Sequence, residues 1–344
     1  MEDTFAIRPI AELGIGGGDP ARGLAVAGRS QPLFAAAEII ARDRHGSRRR
    51  RLSALELRAD ADPRLALLLA QLERPRAPIA GLSFEAPRIM GIVNVTPDSF
   101  ADGGRYFDAG AAVEHALRLE AEGADILDVG GESTRPGAAG IDVEEECRRV
   151  LPVIAALRAQ ARVPISIDTR HGEVMRRALA AGARLINDVS ALRHDPSSLP
   201  TVAQTGAPVV LMHAQGDPAT MQNAPQYADV VLDVYDFFAA RIAASEAAGI
   251  PRSRLILDPG IGFGKTLAHN LALLAALSLF HALGCVVMLG ASRKSFIGQL
   301  TGAPAAERLP GSLAAALMGA AQGVQILRVH DVAATRQALT VWQA

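Results

Sequence analysis

Polar and charged side chains end or closely follow a series of short apolar stretches in the second half of this sequence. They are Asn94, Asp128, Asp168, Asn187, Asp258, Lys294, Arg328 and His330. One such residue alone is commonly a helix cap or a turn former. The repetition is harder to explain by capping, because Asp and Lys are rarely buried without partners. The pattern therefore indicates a site for a polar ligand that has donors, acceptors and an anionic part.

Two glycine-containing loops follow the first two of these stretches, at residues 94–104 and 130–137. Both carry Ser, Thr and charged side chains beside the glycines. Glycine hinges next to such side chains suit mobile lids that close over a substrate. The alternative is a pair of long surface loops, although long loops on a barrel are usually functional.

Two later turns carry further groups of this kind. At residues 290–298 a strand passes into a helix, whose free N–H groups and dipole favour an anion. Ser295 lies in the first turn of that helix and is suited to receive a carboxylate. Residues 258–265 resemble a glycine-rich phosphate loop but lack the Walker spacing. We interpret these glycines as allowing close approach of the backbone to a flat ligand.

The elements that must position these residues alternate between strands and helices, which is typical of a parallel α/β fold. Strands are predicted at 89–94, 125–129, 164–168, 184–188, 208–213, 255–258, 286–290 and 324–330. Amphipathic helices are predicted at 109–122, 143–159, 172–181, 227–248, 267–277, 312–321 and 333–342. Eight strands with covering helices predict a (β/α)₈ TIM barrel over residues 88–344, with its active site at the carboxyl ends of the strands. A doubly wound open sheet is the alternative.

Residues 1–87 differ in composition and are predicted to form an N-terminal extension of small α/β character. Two β-type pieces at 23–26 and 52–57 and a helix around 64–72 are predicted here. Residues 75–78, Pro-Arg-Ala-Pro, are typical of a linker into the barrel.

The extension also contains an arginine run at residues 48–51. We interpret it as a solvated face or loop rather than a nucleic-acid patch, because no aromatic residues accompany it. The sequence assigns the extension no function. We expect it to be dispensable for chemistry, since every motif lies after Arg88.

Composition limits the remaining function classes. The chain has 344 residues, 49% of them hydrophobic and 21% charged, with a net charge of −1. No global positive field favours nucleic acid or an anionic membrane, and no signal-peptide or membrane-spanning pattern is present. Cys147 and Cys285 form no metal-ligand motif, so a disulfide framework is not expected and a reducing cytoplasm is the predicted location.

Five motifs together resemble the dihydropteroate synthase family of pterin-binding TIM-barrel enzymes. They lie at residues 90–100, 128–137, 258–260, 292–295 and 328–332, with the sequences MGIVNVTPDSF, DVGGESTRPG, DPG, SRKS and RVHDV. They occur in the family's order, and the resemblance spans residues 88–344. It implies a transferase of folate biosynthesis that condenses 6-hydroxymethyl-7,8-dihydropterin pyrophosphate with p-aminobenzoate by an SN1-like displacement at the pterin methylene.

The resemblance also implies site residues. For the pterin they are Asp168, Asn187, Met212, Asp258, Phe263, Gly290, Lys294 and Arg328. For the pyrophosphate they are Asn94, Arg135, Arg328 and His330, with the Asn94 amide oxygen as a ligand of a Mg²⁺ cofactor. For p-aminobenzoate they are Phe100, Thr134, Pro136, Lys294 and Ser295. The catalytic residues would be Asp102, Asp128, Lys294 and Arg328.

Two other functions stay open at this point. A pterin-binding methyltransferase shares the barrel but would not need the Ser-Thr-Arg-Pro loop or the set of Asn94, Arg328 and His330. A non-catalytic pterin-binding paralogue would be expected to lose a lid residue or Lys294. The expected partners are the two small-molecule substrates and, by resemblance only, a second copy in a homodimer.

Overall fold

The N-terminal part of the chain forms two small antiparallel sheets and two helices. The computed structural model describes residues 4–10, 23–29, 33–96, 109–133, 140–216 and 220–344. Its first elements are β1 Thr4–Ile10, β2 Leu24–Ala25, β3 Leu33–Phe34, β4 Ala36–Asp43, β5 Gly46–Ser53, α1 Ala54–Ala59 and α2 Pro63–Glu73. The order β1–β4–β5 makes a three-stranded sheet, and β2 pairs with β3. The predicted helix at 64–72 and the β-type piece at 23–26 are confirmed.

The predicted strand at 52–57 is wrong beyond Ser53. The Ser53 hydroxyl accepts a hydrogen bond from the Glu56 amide at 3.2 Å, and the Glu56 carboxylate accepts one from the Ser53 amide at 2.7 Å. This reciprocal capping box starts a helix, so the chain passes directly from β5 into α1.

The sequence did not predict β1 and β4. β4 has the sequence AAEIIARD, whose Ala, Glu and Arg residues favour helix. It is a strand because it pairs with β1 on one side and β5 on the other. The arginine run 48–51 lies on β5, where it is exposed. Since β5 is the edge of its sheet, these charges oppose pairing with another sheet.

Eight parallel strands close into a barrel, as predicted. They are β6 Arg88–Asn94, β7 Ile126–Gly130, β8 Ile165–Asp168, β9 Leu185–Asp188, β10 Val209–Met212, β11 Leu255–Asp258, β12 Val286–Leu289 and β13 Ile326–Val329. β13 pairs with β6 in parallel, from Ile326↔Arg88 to Val329↔Gly91. This pairing closes the sheet and rules out the doubly wound alternative.

Helices cover the barrel on its outside. They are α3 Ala109–Ala121, α4 Val143–Gln160, α5 Gly172–Ala181, α6 Ser198–Thr205, α7 Val230–Ala247, α8 Leu267–Leu274, α9 Ser295–Thr301, α10 Leu309–Ala321 and α11 Val332–Gln343, with 3₁₀ turns at Arg252–Arg254, Leu277–Leu283 and Ala305–Glu307. α7 begins later than predicted because Asp229 caps it by accepting hydrogen bonds from Val231 N and Leu232 N. Within the described ranges, none of the helices is both long and apolar enough to cross a bilayer.

The barrel strands place the predicted site residues by simple alternation. Side chains two positions apart on a strand point the same way. Ile126, Leu185, Ile256 and Ile326 belong to one buried apolar cluster inside the barrel. The residues two positions further along are Asp128, Asn187, Asp258 and Arg328. The barrel interior is therefore apolar towards the amino ends of the strands and polar at their carboxyl ends.

The amino end of the barrel is closed by a short turn that precedes β6. Ile79 and Leu82 exchange two backbone hydrogen bonds, and Ile79 and Phe84 are buried in the apolar cluster inside the barrel. Around this turn, Arg88 pairs with Asp125 at 3.3 Å. The charged groups at this end therefore have partners near the surface.

The N-terminal extension packs on the barrel around the 3₁₀ turn 277–283. The Ser278 hydroxyl donates to Pro9 O at 2.6 Å. In the predicted linker, Arg76 donates to Cys285 O at 3.0 Å and to His281 O at 2.9 Å. Burial lowers the pKa of Arg76 to about 10. The linker is thus fixed to the barrel, and the domain boundary at residue 87 stays a prediction.

Candidate active site

Arg328 joins three of the predicted site residues at the carboxyl end of the barrel. Its Nε donates to Asp128 Oδ2 at 2.7 Å and its Nη2 donates to Asp168 Oδ2 at 2.6 Å. The Asn187 amide donates to the same Asp128 oxygen at 2.9 Å. β7, β8, β9 and β13 each contribute one of these residues, which share the interior face of the barrel. The convergence expected from the strand ends is therefore present.

This cluster has more negative than positive charge. Two carboxylates share one guanidinium, and Asp128 Oδ1 is buried without a hydrogen-bond partner among the described residues. Burial raises the pKa of Asp168 to about 7, with Arg328 opposing the shift and Asp128 adding to it. Although burial opposes its charge, the two carboxylates raise the pKa of Arg328. The cluster is thus suited to stabilise positive charge on a ligand.

Asp258 and Lys294 are two further charged side chains, and both lie close to Gly290. Asp258 Oδ1 accepts a hydrogen bond from Gly260 N at 2.8 Å. A Cβ atom placed on Gly290 would lie 3.4 Å from Asp258 Oδ2 and 3.9 Å from Lys294 Nζ. Burial raises the pKa of Asp258, against the effect of Lys294, and lowers the pKa of Lys294 to about 8. An acceptor and a donor therefore flank the space that the missing side chain of Gly290 leaves free.

Lys294 is further placed by the turn that follows β11. Its ammonium donates to Ile261 O and lies 4.4 Å from the centroid of the Phe263 ring. Met212 is buried at the end of β10, opposite Asp258 in the strand register. Met212, Phe263, Gly290 and Lys294 are therefore brought to one side of the barrel mouth, and their role in pterin binding stays a prediction.

The interpretation of the 258–265 glycines as contacts for a flat ligand is wrong for two of them. A Cβ atom on Gly260 would lie 1.9 Å from His213 O, and one on Gly264 would lie 2.4 Å from Gln215 O. Both glycines also have positive φ, a region that side chains disfavour. They are needed where the turn packs against the backbone that follows β10.

Lys265 holds this turn together, and the sequence did not indicate it. Its buried ammonium donates to Gly260 O and Phe263 O at 2.9 Å and to His213 O at 3.1 Å. It also lies 2.9 Å from His213 Nδ1. Burial lowers the pKa of Lys265 to about 7 and that of His213 to about 2. In the sequence, Lys265 is recognisable only as a lysine at the end of a glycine-rich turn. A lysine in that position could equally well bind a ligand, so its structural role could not be predicted.

A buried ion pair fixes the flanks of the second glycine loop, and it was also missed. Arg170 donates to both Glu132 oxygens, at 2.9 and 2.8 Å. Glu132 accepts from Ile141 N at 3.4 Å, and Arg149 donates to Gly131 O at 2.9 Å. These contacts hold the residues on either side of 134–139. Bidentate pairs of this kind are geometrically specific, so the loop leaves and re-enters the barrel at fixed points.

The predicted pyrophosphate residues within the described ranges lie on neighbouring strands. Asn94 ends β6, which pairs with β13, and His330 follows β13. The His330 amide donates to the Ser292 hydroxyl at 3.2 Å, and His330 Nδ1 lies 3.1 Å from it. Ser295 is the first residue of α9 and is exposed. Phe100, Asp102, Thr134, Arg135 and Pro136 lie outside the described residues.

Potential metal ligands can be assessed for the described residues. Over the described part of the chain, no three His, Cys, Asp or Glu side chains form a metal-binding group. Mg²⁺ is commonly held by one or two protein oxygens together with phosphate and water. The amide oxygen of Asn94, at the barrel mouth, fits that chemistry.

Two clefts differ in their relation to these charges. One of about 470 Å³ lies at the amino end, between the ends of α4 and α5, and is lined by Arg158, Arg162 and Arg184. The other, of about 110 Å³, is lined by Arg170, Ser190, Met221 and Phe263. The smaller one adjoins the buried charges at the carboxyl end. We assign the candidate site to the carboxyl end of the barrel. The charged side chains converge there, whereas, among the described residues, the larger cleft at the other end brings together no comparable set of acidic and basic groups.

Comparisons with known proteins show which family the chain belongs to. The profile of a family described as pterin binding enzyme matches residues 90–330. A dihydropteroate synthase of Escherichia coli strain K12 is 51% identical over 263 residues, which are 76% of this chain and 93% of that protein. The family match begins at residue 90, so the N-terminal extension lies outside it.

Solved structures extend the likeness to three dimensions. A dihydropteroate synthase of Xanthomonas albilineans, solved with 4-aminobenzoic acid, is 56% identical with a TM-score of 0.74, over 78% of this chain and 97% of that one. A structure from the same organism in complex with 7,8-dihydropteroate is 53% identical with a TM-score of 0.71, over 78% of this chain and 98% of that one.

Proposed function

The chain belongs to the dihydropteroate synthase family of pterin-binding enzymes, and we propose that it joins 6-hydroxymethyl-7,8-dihydropterin pyrophosphate to p-aminobenzoate, giving 7,8-dihydropteroate and pyrophosphate. The observation that carries the proposal is the buried Asp258 carboxylate and the half-buried Lys294 ammonium, which lie on either side of Gly290, next to the Arg328 cluster. Buried charges without full pairing reduce stability, which is explained if a ligand completes their hydrogen bonds.

The pterin lies between these two groups. Its 2-amino group and N3–H form a paired donor edge, which a carboxylate accepts well. Asp258 takes this edge, while Lys294 donates to an acceptor on the ring. Asp168 and Asn187 contact the same ring from β8 and β9, and Arg328 lies against its face. Met212 and Phe263 supply the apolar walls of the slot.

The reaction breaks the bond between the pterin methylene carbon and the pyrophosphate oxygen. The electron pair leaves with the pyrophosphate, and the resulting cation is delocalised into the pterin ring. The nitrogen lone pair of p-aminobenzoate then forms the new C–N bond, and the nitrogen loses a proton to solvent. The Asp128 carboxylate, buried under the ring, stabilises the cation electrostatically. Asp102 assists the developing cation as well.

The leaving group needs positive charge. Asn94, Arg135, Arg328 and His330 bind the pyrophosphate, and Asn94 contributes an oxygen ligand for Mg²⁺. When bound there, Mg²⁺ would supply neutralisation of the charge that develops on the pyrophosphate. Thr134, Pro136, Phe100 and Lys294 form the p-aminobenzoate pocket, and Ser295 at the start of α9 receives its carboxylate. We also propose a homodimer in the cytoplasm.

Pyrophosphate release that depends on p-aminobenzoate tests the proposal. Purified protein should release pyrophosphate from the dihydropterin substrate only when p-aminobenzoate is present, with dihydropteroate formed in equal amount. Excess chelator should stop turnover, and added Mg²⁺ should restore it. A pterin-binding methyltransferase or a non-catalytic paralogue would release no pyrophosphate, and full turnover in chelator would remove Mg²⁺ from the mechanism.

A further inference from the structure

The N-terminal extension contacts the barrel beside the segment that leads into α7. Arg42 on β4 is the central residue of this contact. Its Nη1 pairs with Asp233 Oδ1 at 2.6 Å, and its Nη2 pairs with Asp236. The Thr4 hydroxyl donates to Asp236 at 2.8 Å. The Arg42 side chain is 10% exposed, whereas Asp233 and Asp236 are 28% and 37% exposed, so the guanidinium side of each ion pair is shielded from water.

Asp233 and Asp229 organise the start of α7. Asp233 Oδ2 accepts hydrogen bonds from Ala228 N at 3.0 Å and Asp229 N at 3.3 Å. Asp229 caps the helix and also pairs with Arg49 of β5 at 3.0 Å. The two carboxylates that fix the helix start are therefore each held by an arginine of the extension. Arg49 is 39% exposed and should contribute less than Arg42.

The segment 220–229 in turn contacts the site. The Tyr227 hydroxyl donates to Gly264 O at 2.8 Å, and the Gln222 amide donates to Gly262 O at 2.6 Å. The backbone N–H of Gln226 donates to the side-chain oxygen Oε1 of Gln215 at 3.2 Å. Gly262 and Gly264 flank Phe263, and the same turn supplies Ile261 O to the Lys294 ammonium. Arg42 is thus connected to the walls of the pterin slot through Asp233, the backbone from Ala228 to Tyr227 and the hydrogen bond from Tyr227 to Gly264 O.

We propose that the N-terminal extension is a positioning unit for the active site. Arg42, with a smaller contribution from Arg49, holds residues 220–229 and through them the turn 260–265 in the geometry that receives the pterin. The role of this turn in pterin binding rests on the proposed function above. The proposal contradicts the expectation from sequence that the extension is dispensable for chemistry.

The test compares Arg42→Gln with Arg48→Gln in the full-length protein. Arg48 lies on the same sheet, is 87% exposed and pairs only with Asp43 of the extension among the ion pairs of the described residues. Arg42→Gln should raise the KM for the pterin substrate by about three- to ten-fold, a range found for coupling through packed networks. The KM for p-aminobenzoate should change by less than about two-fold. Arg48→Gln should change neither.

Hydrogen–deuterium exchange gives a readout that does not depend on turnover. In Arg42→Gln, amides of residues 220–229 and 260–265 should exchange faster than in the parent protein, while those of β11 should not. Arg42→Lys should restore part of the protection, because it keeps the cation but loses the fork geometry. If Arg42→Gln does not fold, Asp236→Asn takes its place, since it removes one partner and leaves the other.

Unchanged exchange in both segments, or an unchanged pterin KM, in a folded Arg42→Gln protein would overturn the proposal. Equal effects of Arg42→Gln and Arg48→Gln would also overturn it, because they would show a general charge effect. The proposed function fails separately: a parent protein that releases no pyrophosphate refutes it, whereas faster exchange at 220–229 in Arg42→Gln would still support the structural coupling.

Discussion

The two ends of this barrel are built from the same strands but differ in the side chains that fill them. At the amino end, Ile79 and Phe84 fill the opening with apolar side chains, and Arg88 finds a partner in Asp125. At the carboxyl end, Asp128 keeps a buried oxygen without a hydrogen bond among the described residues, and Asp258 is buried beside Lys294. The amino end is filled mainly by apolar side chains, whereas the carboxyl end gathers buried charged groups.

This difference between the two ends indicates that the carboxyl end is arranged for ligand binding at a cost in folding stability. Burial of apolar side chains at the amino end favours folding. Buried charges at the carboxyl end oppose folding unless a ligand completes their interactions. Substitutions at the amino end should therefore change stability alone, whereas substitutions at the carboxyl end should change ligand binding or catalysis.

The largest effect is expected for Arg328→Met. It removes the one cation that Asp128 and Asp168 share, so turnover should fall by at least about 100-fold. The free energy of unfolding should fall by about 3 kcal/mol, because two carboxylates stay buried without their partner. Steady-state kinetics and urea unfolding measure the two quantities. Arg336→Met is the control at the amino end: Arg336 pairs with Asp125 and should leave turnover unchanged. Similar turnover in the two variants would contradict the contrast between the ends.

Phe84→Ala should have the next largest effect, on stability only. Removal of this buried ring at the amino end should lower the free energy of unfolding by about 3 kcal/mol. The KM values for both substrates should stay within about two-fold of the parent values, since the ring lies in the apolar half of the barrel interior. Urea unfolding and initial-rate kinetics on the same preparation test this. A large rise in either KM would show that the amino end also shapes the site.

Asp258→Asn should weaken pterin binding by about 1.5–3 kcal/mol, which is about ten- to a hundred-fold, the usual range for a hydrogen bond to a charged group. Asp188→Asn is a matched control. Asp188 also ends a strand and is buried, but its carboxylate accepts hydrogen bonds from Ser190 N and Leu192 N. It should keep its pterin affinity. If calorimetry finds that Asp258→Asn binds pterin with the affinity of the parent protein, Asp258 has a structural role, like Asp188, and does not bind the pterin.

The smallest effect concerns pH. The pKa of Asp168 is raised to about 7, so its carboxyl group is mostly protonated at about pH 6 and mostly ionised at about pH 8. The ionised form is the better acceptor, and pterin affinity should therefore rise by about five-fold over this range. Asp168→Asn should flatten this part of the profile. A profile that keeps its slope in Asp168→Asn would assign the titration to another group, such as Lys294, whose pKa is lowered to about 8.

The local pattern of the sequence was enough for the architecture of the barrel. Apolar stretches that alternate with amphipathic helices determined where β6 to β13 lie, because strand and helix periods depend on near neighbours in the chain. The residue two positions after an inward apolar side chain must also point inward. Asp128, Asn187, Asp258 and Arg328 could therefore be identified as site residues before any contact was known.

The N-terminal extension shows where this reasoning ends. β4 has a helix-favouring composition and is a strand only because β1 and β5 pair with it. β5 stops at Ser53 because a capping box begins α1 there. Tertiary pairing overrides weak local propensity, so these elements could not be read from composition alone.

Only the tertiary structure decided which of the site residues meet. Arg328 and Asp128 are 200 positions apart in the chain, and their ion pair exists because β13 closes onto β6. The Lys265 contacts to His213 and the Arg170 pair with Glu132 likewise join separate loops. The sequence determined which side chains face the interior, since that follows from a two-residue period. The pairs among them depend on strand register and barrel closure, which no local pattern encodes.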